Sequence, residues 1–180
     1  MLVTLVGYDI MKGRSLLAST SASDCGSSDA ALMPYHVERS KLFVMDRLGD
    51  SHLLDAARIS RAIEFTRFPV PESDDQDDEE GLLARAANLI GRLGDPHYLR
   101  KANALYYEFD EVGFNKRFGY ASPAELMDLY PQFYFNNVSA HLQTAIRYLN
   151  VTSSGRRWIA NLYSNLFRAE RELRLSRTQR

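Results

Sequence analysis

Tyr134, Val138, Leu142, Ala145 and Leu149 are apolar residues spaced three or four positions apart. That spacing sets five side chains along one side of an α-helix. Similar stripes recur along the chain. Val37, Val44, Met45 and Leu48 mark a helix over 36–48, ended by Gly49. Leu53, Ala56, Ile59 and Ile63 mark a second, capped by Asp50 or Ser51 and stopped by Pro69 and Pro71. Leu83, Ala86, Ala87, Ile90 and Leu93 mark a third over 81–93, ended by Gly94. Asp95-Pro96 and Ser122-Pro123-Ala124-Glu125 are two further starts, an acid or hydroxyl before a proline at the first turn. Pro131 is expected to interrupt the helix after Ser122. Thr152 or Ser153 caps a last helix that buries Trp158, Ile159, Leu162 and Leu166. No segment alternates convincingly with period two. The expected class is all-α.

The chain has 180 residues and a formal net charge of -1. It reads as a single helical domain, 1–180, with additional C-terminal helices over about 95–175. Near-neutral charge argues against broad capture of nucleic acid or acidic membranes, so neither is expected as a partner. The lone Cys25 excludes an internal disulfide and a cysteine-based zinc site. The apolar start, Met1 to Gly7, lacks a preceding basic region and is too short to span a bilayer, so a cytoplasmic protein is expected. The sequence is silent on oligomeric state.

Three stretches read as exposed. Residues 15–34 are rich in Ser and Ala and form a loop, a tolerated insertion in preference to a lid. Residues 72–80 hold seven acids in nine positions and repel one another. The tail from Arg168 carries five arginines against two glutamates and is expected to fray.

Candidate chemistry lies near the amino end. In Leu5-Val6-Gly7-Tyr8-Asp9-Ile10-Met11-Lys12-Gly13-Arg14 an apolar run ends in an acid, followed one helical turn later by a lysine. A carboxylate at the end of an apolar element needs a cation or strong hydrogen bonds. Lys12 could supply that charge, and so could a metal ion. His36-Val37-Glu38-Arg39-Ser40 then opens a charged amphipathic helix.

This order resembles the HD-domain superfamily of metal-dependent phosphohydrolases, over about residues 1–93. The resemblance implies an HD-like helical bundle. It also implies a divalent metal ion (Mn, Fe, Ni, Mg and Zn are not distinguished) held by Asp9, His36 and Asn88. Asp9 and Lys12 would be catalytic, with Lys12 and Arg67 binding the phosphate. The substrate would be a phosphorylated small molecule, of which a nucleotide is one kind. Several positions differ from the family's pattern. Tyr8 stands where the family has histidine, and Glu64 stands near the end of the second helix, where many members place another. Asn88 takes an aspartate position, in Arg85-Ala86-Ala87-Asn88-Leu89. No histidine precedes Tyr8, so the chain reads either as an N-terminally shortened member or as one whose start codon is misplaced, with an eroded metal site. The alternative is a non-catalytic helical binding or interaction module on the same scaffold.

Overall fold

The computed structural model describes residues 35–71 and 77–178, and there every regular element is helical. Asp9, Lys12, Cys25, the stretch 15–34 and residues 72–76 of the acidic run lie outside the described residues. The chain divides into two compact units, with the boundary between Asn88 and Leu89.

In the first unit α1 (His36–Leu48) packs on α2 (Ala56–Glu64). Val37, Val44, Ala56 and Ile63 form the buried contact, with Phe43, Leu48 and Ile59 against it. Met45, expected inside, is half exposed. Gly49 takes a right-handed conformation, φ -57°, so it ends α1 without the left-handed turn that favours glycine. Ser51 does not cap α2. Its Oγ accepts the N–H groups of Leu53 and Leu54, which closes a separate turn. Asp55 is the cap, accepting the Arg58 N–H at 2.9 Å. The connection therefore spends four more residues outside the helix, and Leu53, expected inside, is 94% exposed.

Helix α3 (Glu79–Leu93) begins two residues before Gly81, with Asp78 accepting the Gly81 N–H. It buries Gly81, Arg85, Ala86, Leu89, Ile90 and Leu93, whereas Ala87 is exposed and Leu83 half-buried. Gly81 lies against the Phe65 ring, where a Cβ would come within 2.4 Å of ring carbons.

In the second unit α4 (Tyr98–Glu111) starts after Asp95, which accepts the His97 N–H and pairs with Lys101. The short α5 (Phe114–Phe118) lies between Gly113 and Gly119, both left-handed at φ 76° and 77°. Ser122 caps α6 (Pro123–Asp128) as expected, accepting the Glu125 N–H at 3.2 Å. Glu125 reaches back to the Ala121 N–H at 2.7 Å, completing a capping box shifted by one residue.

Pro131 does not break the path. It occupies the first turn of α7 (Tyr130–Phe133), where a proline's missing N–H would go unused anyway. The irregularity falls one turn later, where Tyr134–Val138 forms a π-helical turn. Side chains there cover main-chain carbonyls: Asn137 Nδ2 donates to Phe133 O at 3.2 Å and Ser139 Oγ to Phe135 O at 3.0 Å. Helix α8 (Ser139–Leu149) follows. Tyr134, Val138, Leu142 and Ala145 are buried, as their spacing predicts.

Helix α9 (Ser153–Thr178) is capped by Thr152, which accepts the Gly155 N–H. It buries Ile159, Leu162, Leu166 and Ala169, but Trp158 is partly exposed. Asn165 Nδ2 donates to Leu93 O and Asp95 O, both at 2.8 Å, and so serves carbonyls at the end of α3. The arginine-rich tail is helical to Thr178. Among the described residues no helix is long and apolar enough to cross a membrane.

Candidate functional site

His36 is the first residue of α1. Val37 beside it is 1% exposed, so the chain enters the helix against the core. The His36 Nε2 atom is itself buried. Glu38 lies in the same first turn of the helix, and Lys41 follows in the second.

Glu64 is the last residue of α2, and the chain then turns tightly. Thr66 and Arg67 donate their N–H groups to Ile63 O and Glu64 O, and Thr66 Oγ1 also donates to Ile63 O. This turn brings Arg67 back over Glu64. Arg67 Nε donates to Glu64 Oε1 and Arg67 Nη2 to Glu38 Oε1, each at 2.5 Å. Lys41 Nζ donates to Glu64 Oε2 at 2.6 Å. The four side chains are each about one-third to one-half exposed.

The hydrogen bond from Arg67, joined by that from Lys41, outweighs partial burial and holds the Glu64 carboxyl at about 2. For Glu38, burial acts upward, but the Arg67 hydrogen bond and a main-chain N–H carry it below the ordinary carboxylate value. Glu64, then Glu38, push the Arg67 guanidinium upward. Glu38, Glu64 and Arg67 thus stay ionised through the physiological range. Two cationic and two anionic groups cancel, so the clasp presents little net field to an anionic substrate.

A further cationic group is Arg85, 2% exposed. Its Nε donates to Phe65 O at 3.1 Å and its Cζ lies 5.1 Å from the Phe65 ring centre. Burial lowers its pKa. Arg85 thereby secures the turn that carries Arg67. Asn88 sits one turn further along α3 and is half-buried.

The expected site residues are therefore placed unevenly. Arg67 is in a clasp with Glu38, Glu64 and Lys41. His36 is two residues from Glu38, and Asn88 one turn from Arg85. Asp9 and Lys12 fall outside the described residues. Among the described residues no group of three His, Cys, Asp or Glu side chains could hold a metal ion. The roles of Lys41, Glu38 and Arg85 went unread in the sequence. One signal was available for Arg85: it stands midway between Gly81 and Leu89, four residues from each, on a helix face that is otherwise apolar.

These features define an all-helical protein with an ion-pair clasp joining α1 to the turn after α2. Residues 18–172 match the family model described as Npun_R2479-like, and the chain belongs to that family. Comparison with curated proteins gives no match, and comparison with solved structures gives none either.

Proposed function

We propose that this chain is an HD-type, metal-dependent phosphohydrolase-like protein with an eroded metal site, acting on a phosphate ester, of which a nucleotide's is one kind. The observation that carries the reading is His36. It opens a helix, keeps its Nε2 buried, and precedes the helix, Leu48-Gly49 and second-helix order that the resemblance requires. The donors fit a divalent ion only in part. An imidazole and a carboxamide suit a hard or borderline cation, but a usable set needs the Asp9 carboxylate as well. Asp9, His36 and Asn88 would hold that ion, which when bound acidifies a water and polarises a phosphate. Lys12 would neutralise phosphate charge. Arg67 would do so with a guanidinium that already serves both Glu38 and Glu64.

That last observation favours a second reading, a non-catalytic helical binding or interaction module that keeps the scaffold. One experiment separates the two. Protein purified without chelator is assayed for metal by mass spectrometry. It is then tested with phosphomonoester and phosphodiester substrates under added manganese, nickel or iron. The enzyme reading expects near-stoichiometric metal and hydrolysis that Asp9→Ala and His36→Ala both abolish. Metal-free, inactive protein rejects it and leaves the module. Activity that persists in Asp9→Ala rejects the residue assignment.

A further inference from the structure

The second unit gathers tyrosines from neighbouring elements. Tyr98 opens α4, Tyr130 opens α7, and Tyr134 opens the π-helical turn. The Tyr98 and Tyr130 ring centres lie 4.8 Å apart at a tilt of 43°. Tyr130 and Tyr134 are each 3% exposed. The Tyr134 hydroxyl is hydrogen-bonded to that of Tyr163 on α9, which is half exposed. The Tyr130 hydroxyl differs. Its oxygen is buried and has no hydrogen-bond partner among the described residues.

A buried hydroxyl without a partner is costly, so native proteins seldom keep one. Phenylalanine would fill the same volume at no such cost. Burial, followed by the influence of Tyr98 and Tyr134, raises the Tyr130 pKa well above the ordinary phenol value. Burial likewise raises Tyr98, and it pushes Tyr134 up to about 12. All three phenols are therefore neutral near pH 7, and each can donate or accept. The Tyr98 ring lies against that of Tyr130, and Tyr134 stands one helical turn after Tyr130, where α7 passes into the π-helical turn. A π-helical turn, a feature that recurs at functional sites, begins within this cluster.

We propose that the hydroxyls of Tyr98, Tyr130 and Tyr134 jointly hold a small neutral hydrogen-bonding guest, a water molecule in the resting protein. An internal water makes two to four hydrogen bonds to polar groups that otherwise lack partners. Three phenols meet that need with no charged group, which suits a neutral guest and not an anion.

The test uses the full chain and three variants, Y130F, Y98F and the double variant, each lacking only phenolic oxygens. In urea unfolding at pH 7, Y130F should lower the folded-to-unfolded ratio about tenfold, the effect of one lost hydrogen bond. The double variant should lose less than the product of the single losses, since both remove bonds to the same guest. A Y130F protein as stable as the wild type, or more stable, overturns the proposal. So do losses that simply multiply. A second readout is independent of stability. In the wild-type protein, rotating-frame NMR should show a cross-peak between the Tyr130 hydroxyl proton and a long-lived water. A hydroxyl proton that is observed without that cross-peak also overturns the proposal.

Discussion

Arg67 holds Glu38 across 29 positions of sequence, its Nη2 2.5 Å from the carboxylate, while its Nε holds Glu64 on its own turn. One guanidinium thus ties the first turn of α1 to the end of α2. A planar fork with several donors can serve two carboxylates at once, which an ammonium does less well. The cation the sequence offered as a phosphate ligand has, in the folded chain, a structural task.

Removing that guanidinium should cost more than removing one of its acceptors. Arg67→Met leaves Glu38 and Glu64 with only Lys41 between them, and it should destabilise the protein by about 1 kcal/mol, the upper end for part-exposed pairs. Adding Glu38→Gln to Arg67→Met should restore part of the loss by relieving carboxylate repulsion. Urea unfolding midpoints of the single and double variants check both expectations.

Acid should loosen the clasp in a defined window. Folding lowers the Glu64 pKa from 4.5 to about 2, so the unfolded chain binds its proton first as pH falls. The stabilisation is complete above the unfolded value and drains away between about pH 5 and pH 2. Glu64→Gln should be less stable than the wild type at pH 7 and should show a flatter acid limb. The two unfolding midpoints should converge by about pH 2. Chemical denaturation at stepped pH measures this.

Asn165 joins α9 to the end of α3 through two carbonyls. Asn165→Ala strips Leu93 O and Asp95 O of their shared donor, and buried carbonyls left bare should cost about 2 kcal/mol. Asn165→Asp should be worse than alanine at pH 7, because a carboxylate would then face two carbonyl oxygens. Thermal unfolding of the three proteins should rank them wild type, alanine, aspartate.

The cap on α6 offers a local test. Ser122→Ala removes the acceptor for the Glu125 N–H and should cost about 1 kcal/mol, whereas Ser122→Asp should retain most of the stability. Urea unfolding again gives the comparison.

Much of the helical order was legible because its causes are local. The stripe from Tyr134 to Ala145, the cap at Ser122 and the start of α1 at His36 each depend on residues within about one turn. Where two local solutions competed, the sequence left the outcome open. Ser51 and Asp55 can both cap a helix, and only the path of the chain between α1 and α2 selects Asp55 and turns Leu53 outward. Pro131 suggested a break, yet the fold admits it at a first turn and accommodates the irregularity in the π-helical turn beyond. Of the candidate site, Glu64 and Arg67 were both visible as residues of interest, but their mutual engagement was not.

The amino-acid sequence by itself determined that this chain is helical and where α1, α6 and α9 begin, because hydrogen bonds and apolar spacing within a turn decide those matters. Tertiary structure alone decided that Arg67 serves two carboxylates, that Arg85 points inward against Phe65, and that Tyr130 is sealed beside Tyr98. Each of those facts depends on how segments far apart in sequence pack, and charge or aromaticity at one position carries no record of the neighbour that packing will supply.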